Sequence, residues 1–260
     1  MTGEFGVPDW LLPLIAAPFI GSFAGVLIQR LPAGEPVAWA RSRCDACSHV
    51  LGPCELVPFV SFAALRARCR WCHARIPFSH LATELACLGI AVGAVLVEAG
   101  IELVWLDCVL GWTLLTLAWI DWEHMLLPDV LTLPLVVAGL GATLIRDPSA
   151  VTEHALAAAA GYLAFRAIEI GYRRLRGRDG LGQGDAKLMA AAGAWLGLMP
   201  LPAVVFTAAM FGLLTAATLR IMGNTLHAGF AIPFGPALCA AIAAVWMGFD
   251  PLVMLMDKLQ

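Results

Sequence analysis

Eight stretches of the chain are apolar for long enough to cross, or nearly cross, a lipid bilayer, and no other feature limits the possible folds as strongly. They lie at residues 11–28, 81–97, 103–120, 130–145, 155–170, 186–198, 201–219 and 230–256. A hydrocarbon core takes about 20 apolar residues per helical crossing, so the run at 186–198 is short for a full span. Backbone polar groups find no water in lipid, so an apolar crossing of this length has to satisfy them internally, as a helix does. Composition agrees: of 260 residues, 60% are hydrophobic and 13% charged, against roughly 45–50% and ~25% in a soluble domain. The expected fold is an all-α polytopic integral membrane helical bundle of seven or eight spans, and a soluble globular enzyme is excluded. A net charge of −3 offers no polybasic arm, so the surrounding partner is the lipid bilayer and not nucleic acid. The first run follows Glu4 and Asp9 with no basic residue before it, so it reads as a retained helix, not as a cleaved signal.

Basic residues set an expected orientation, because Lys and Arg concentrate in cytoplasmic loops. Seven of the sixteen lie between Arg30 and Arg75; Arg173, Arg174, Arg176, Arg178 and Lys187 share a later loop, and Arg220 lies in another. Thirteen of sixteen therefore agree with one topology, in which the amino terminus is outside and residues 31–80, 121–129 and 171–187 face the cytoplasm. Three segments follow: a first transmembrane helix at 1–30, a cytoplasmic insertion at 31–80, and a membrane domain at 81–260. No heptad, solenoid or low-complexity repeat is visible. The small residues at 155–160 would let helices pack closely.

Inside the insertion, Cys44-x-x-Cys47 and Cys69-x-x-Cys72 have the spacing of two chelating turns around a tetrahedral zinc ion. Arg43, Arg68 and Arg70 beside them favour the thiolate form. A structural zinc is expected, since four cysteines fill the coordination shell and leave no position for water. Four unpaired thiols are the plainer reading, and Cys54, His49 and His73 are near enough to replace a ligand. Cys87, Cys108 and Cys239 fall in apolar runs and read as core residues.

Ionisable residues in or beside spans are costly and mark candidate function. Here they are Glu84, Asp107, Asp121, Glu123, Asp129, Glu169 and Asp185. Asp121 closes an apolar run, and Asp185 ends Gly180-Leu181-Gly182-Gln183-Gly184-Asp185, whose glycines permit irregular backbone at the membrane. Both lie at cytoplasmic helix ends in the topology above. Two carboxylates sharing a partly dry site do not both ionise easily, so one keeps a proton while the other activates water, which is aspartyl-protease chemistry. Alternatives at the same positions are an N-cap at Asp185, a cap at Asp129 and an interfacial residue at Asp121. Asp107 is fourteen helical residues from Asp121, about 21 Å along the axis.

Taken in order, these segments resemble the type IV prepilin peptidases, bifunctional leader peptidases and amino-terminal methyltransferases of the GxGD aspartyl protease type. The resemblance rests on Gly21-Ser22-Phe23 to Ile28-Gln29-Arg30-Leu31-Pro32, on the two cysteine pairs with Leu65-Arg66-Ala67-Arg68-Cys69-Arg70, on Ile120-Asp121 to Leu127-Pro128-Asp129 and beyond, on Gly182-Gln183-Gly184-Asp185-Ala186-Lys187-Leu188, and on Pro233-Phe234-Gly235-Pro236. It implies Asp121 and Asp185 as the catalytic pair of a membrane aspartic endopeptidase in the bacterial inner membrane, with its active site facing the cytoplasm. Its implied substrates are type IV prepilins or type II secretion pseudopilins. It also implies methylation of the new amino terminus from S-adenosylmethionine, with Glu55 and Glu84 as cofactor-site candidates. The chain departs from the family at Gly25, where an Asn is usual, at Leu56 in the Glu-Asn-Ile-Pro stretch, and in the second helix, where the Tyr-Pro that commonly precedes a Glu is absent, with His80 and Leu81 nearby and Glu84 kept. A reading from another class is a transporter or channel with a membrane-acid proton relay and a regulatory zinc loop. Paired repeats with interrupted helices would favour it, and none is visible.

Overall fold

The computed structural model describes residues 8–37, 41–98, 100–177, 180–223 and 232–249. Nearly all of the regular structure is helical. In chain order the α-helices are α1 (Leu11–Arg30), α2 (Val60–Ala64), α3 (Phe78–Val97), α4 (Ile101–His124), α5 (Asp129–Arg146), α6 (Val151–Arg176), α7 (Gln183–Leu196), α8 (Leu201–Ile221) and α9 (Gly235–Trp246). Among the described residues there is no strand, and two isolated bridges stand alone. Each of the eight apolar runs contains a helix. Five of them, α1, α3, α4, α5 and α8, are long and apolar enough to cross a membrane. The run at 186–198 gives a helix of 14 residues. The run at 155–170 lies within the 26-residue α6, whose last turn carries Arg173, Arg174 and Arg176. The last run is described only over 232–249, and Arg178 and Lys258 lie outside the described residues.

Helix limits follow local chemistry. Pro77 and Pro128, both in extended conformation, precede α3 and α5, where a missing N–H costs nothing. α6 stops at Gly177, which has φ of 67°, a left-handed cap that suits a residue without Cβ. The arginines in its last turn also complement the negative end of the helix dipole.

The chain divides into two compact units, Met1–Thr116 and Leu117–Gln260. In the first, α1 packs on α3, and the contact depends on Gly21: a Cβ there would stand 2.5 Å from the Cα of Glu84. Buried Cys87, Ala91, Cys108 and Trp112 form its core, and the Trp112 indole N–H donates to the Cys87 carbonyl at 2.9 Å.

In the second unit α7 is the central element, packing on α5, α6 and α9. Small residues set these distances. A Cβ on Gly193 would lie 2.4 Å from the carbonyl carbon of Ala157, and one on Gly139 would lie 2.5 Å from the Trp195 ring. The small-residue stretch at 155–160 is thus where α7 seats. Apolar side chains gain nothing on leaving lipid for one another, so close backbone approach and hydrogen bonds hold such helices together. The Trp195 indole N–H donates to the Leu135 carbonyl at 2.9 Å, joining α7 to α5.

Candidate active site and cysteine cluster

Asp121 sits in the last turn of α4 and is 6% exposed, whereas Asp185 sits in the first turn of α7 and is 7% exposed. Each carboxylate accepts one backbone N–H. Gly235, the first residue of α9, donates to Asp121 Oδ2 at 2.9 Å. Gly182 donates to Asp185 Oδ2 at 3.1 Å, so Asp185 caps its own helix and remains free to use its other oxygen. Gly184, beside Asp185, lies against Leu127 of the segment that follows Asp121, and α7 packs on α9, whose first residue holds Asp121. The structure therefore gathers both aspartates at the end of the unit where α7 and α9 begin. Two buried carboxylates at one end of a helical unit are the residue type that activation of water by a shared proton requires.

The other acidic candidates go elsewhere. Asp129 is the first residue of α5, and its carboxylate accepts from Lys187 Nζ. Glu123 is exposed and accepts from the Trp119 indole N–H at 2.8 Å. Glu169 is 1% exposed and lies between Arg166 and Arg173 of its own helix, an ion-paired charge that needs no catalytic role. Asp107 is partly buried on α4, in the first unit.

Within the insertion, the two cysteine pairs form equivalent knuckles. Cys44 N–H donates to the His49 carbonyl, Ser48 to Cys44 and Leu51 to Ser42; twenty-five residues later Cys69 donates to Ala74, His73 to Cys69 and Ile76 to Ala67. Bridges at Arg43 with Val50 and Arg68 with Arg75 repeat the same offset, and Ser48 and His73 both have φ of 57°. This duplication has almost no sequence identity behind it beyond Arg-Cys-x-x-Cys, so a search for repeated residues does not find it. The sulfurs of Cys44, Cys47, Cys69 and Cys72 all lie within 4.8 Å of one another, and Cys44 and Cys72 sulfurs are 3.8 Å apart. Tetrahedral zinc with bonds of ≈ 2.3 Å places its sulfurs about 3.8 Å apart. The Trp71 backbone N–H donates to the Cys69 sulfur at 3.5 Å, a contact that favours the thiolate a metal requires. His49 instead stacks on Trp71, with ring centroids 4.4 Å apart.

Glu55 and Glu84 both line a cavity of about 700 Å³ in the first unit, together with Gln29, Arg70, Arg75 and His80. Glu55 accepts from Gly52 N–H at 2.8 Å. Glu84, 7% exposed, accepts from Phe59 N–H at 2.9 Å. His80 faces Gly25: a Cβ on that glycine would stand 3.2 Å from the His80 Nδ1.

Residues 108–217 match the model of the type IV leader peptidase family, and residues 15–98 match that of the bacterial peptidase A24 amino-terminal domain. A prepilin leader peptidase/N-methyltransferase of Aeromonas hydrophila is 35% identical, covering 93% of this chain and 92% of that protein. Proteins of the same description from Dichelobacter nodosus and Burkholderia pseudomallei (strain 1026b) are 36% and 34% identical, covering 88% and 91% of this chain and 87% and 84% of theirs. No solved structure matches the chain. A helical multi-pass membrane peptidase is the class that these findings define. The chain belongs to the type IV leader peptidase family, and the transporter reading is not favoured.

Sequence reasoning missed two partners in this site, Gly235 for Asp121 and Lys187 for Asp129. Both residues stood in recognised motifs, and a glycine between Phe234 and Pro236 was the available signal for a close backbone approach.

Proposed function

We propose that this chain removes the leader of type IV prepilins or type II secretion pseudopilins with Asp121 and Asp185 as the catalytic pair, in the bacterial inner membrane and on its cytoplasmic face. The observation that carries the reading is the burial of these two carboxylates together, each with one backbone N–H donor. One carboxylate takes a proton from water as the oxygen attacks the scissile carbonyl, while the protonated partner donates to the carbonyl oxygen. Collapse of the tetrahedral adduct breaks the C–N bond: the departing amine takes the proton held by the first carboxyl, and the adduct's hydroxyl returns one to the second as the C=O re-forms. The distribution of Lys and Arg supports the cytoplasmic orientation.

The same chain methylates the amine it creates. S-adenosylmethionine supplies an electrophilic methyl group. The donor set of the first unit's cavity suits it: Glu55 and Glu84 complement a sulfonium charge, Arg70 and Arg75 suit a carboxylate, and a wall carboxylate accepts the amine proton. Residues 31–80 form the cytoplasmic zinc domain, with Cys44, Cys47, Cys69 and Cys72 as ligands, between a first transmembrane helix at 1–30 and the membrane peptidase domain at 81–260. The test is co-expression with a prepilin. Asp121→Asn and Asp185→Asn, each inserted in the membrane, should leave the leader in place, and substantial cleavage by either would remove the assignment.

A further inference from the structure

The loop that leaves Asp121 and the turn that brings in Asp185 are fastened to each other at two points. α4 ends at Met125, a left-handed residue (φ 51°) whose N–H donates to the Asp121 carbonyl at 2.9 Å. The chain then turns back through Leu127, which is 7% exposed and lies against Gly184: a Cβ on that glycine would stand 2.6 Å from the Leu127 Cβ. Asp129 opens α5 and accepts from Lys187 Nζ of α7. Asp121 and Asp185 are sixty-four positions apart in the chain, but eight residues lead from Asp121 to Asp129 and two from Lys187 to Asp185. The ion pair is thus a short mechanical route between the two carboxylates.

We infer that Asp129 and Lys187 are positioning residues of the peptidase: their ion pair, with the Leu127–Gly184 contact, forms a clasp that fixes the separation of Asp121 and Asp185. The inference rests on those aspartates being the reacting pair. The Asp129 side chain is 57% exposed and that of Lys187 25%, so the pair contributes little to global stability. Its effect falls on geometry, where a displacement of an ångström costs rate steeply. Gly184 belongs to the same device, because any side chain there would displace Leu127. Below α5's first turn the two helices stay in register through the Trp195 bond to Leu135, so opening the clasp shifts the first turn of α7 and leaves the packed remainder in place.

The experiment measures kcat and KM for leader removal from a type IV prepilin by the full chain in detergent, with the thermal midpoint of each variant alongside. Asp129→Asn and Lys187→Met should each lower kcat about tenfold, with KM and midpoint close to wild type. The double variant should lose no more than either single one, since both remove the same contact. Asp129→Glu and Lys187→Arg should recover most of the rate. Asp121→Asn and Asp185→Asn run in parallel. If these two are inactive while Asp129→Asn or Lys187→Met keeps the wild-type kcat, the clasp is overturned and the catalytic assignment stands. Multiplying losses in the double variant, or a midpoint that falls in step with kcat, would also overturn it. Cleavage by Asp121→Asn or Asp185→Asn would remove the catalytic assignment and the clasp with it.

Discussion

Gly235 N–H donates to Asp121 Oδ2 at 2.9 Å across 114 positions of sequence. The approach is possible because residue 235 has no side chain: a Cβ would stand 2.5 Å from that oxygen and 2.7 Å from Cγ. A proline on either side of Phe234 and Gly235 limits the freedom of the segment to move away. Gly235→Ala should therefore lower leader cleavage by about a hundredfold, with membrane insertion and helical content retained. Cleavage rates beside far-ultraviolet circular dichroism check this, and a wild-type rate in Gly235→Ala would mean that Asp121 does not depend on this bond.

The cysteine cluster should hold one zinc per chain, and its two knuckles should matter equally because they repeat each other bond for bond. Cys44→Ser and Cys69→Ser should each lower the bound metal to near zero and leave residues 41–76 open to proteolysis, since binding free energy at such a site is folding free energy. Metal analysis and limited proteolysis of chelator-treated and variant proteins decide it. A metal content near zero in reduced wild-type protein prepared without chelator would leave four free thiols.

The contact between α6 and α7 predicts a packing effect remote from the aspartates. Gly193 lies against the backbone of Ala157, so Gly193→Val must push the helices apart and should cost about 1–3 kcal/mol, as overpacking does. The measurement is the thermal midpoint in detergent. An unchanged midpoint would show that α6 and α7 do not rely on this close approach.

Peptidase and methyl transfer should separate by mutation, because Asp121 and Asp185 lie in one compact unit and Glu55 and Glu84 in the other. Given a pilin already cleaved by another enzyme, Asp185→Asn should keep the methyl transfer that the wild type shows. Glu84→Gln keeps an acceptor for the Phe59 N–H but removes the charge, and should lower methyl transfer at least about tenfold while leaving cleavage intact. Labelled methyl incorporation and leader removal are measured on each protein. Strong wild-type transfer that vanishes in Asp185→Asn would establish one shared centre.

Much of this protein is written in short stretches of sequence. The apolar runs at 11–28, 81–97, 103–120, 130–145 and 201–219 each become a helix fit to cross a bilayer, because in lipid the backbone must satisfy itself within the segment. Cys44 with Cys47, and Cys69 with Cys72, are legible as pairs because chelation by C-x-x-C is a property of one turn. The capping of Gly182 N–H by Asp185 is likewise local. Even the clamp on Glu169 follows from Arg166 and Arg173 at helical spacing.

What the sequence leaves open are relations between residues whose meeting depends on helix packing. By position alone Asp129 reads as a cap or a catalytic acid; Lys187, fifty-eight residues away, makes it an ion-pair partner. Asp121 was legible as an acid at a helix end, but its N–H donor comes from α9. Tertiary structure decides these pairings because the glycines at 139, 161, 184, 193 and 235 admit backbone or side-chain atoms of other segments where a Cβ would not fit, and the distance between two helices is a property of both surfaces together. No local pattern carries that distance.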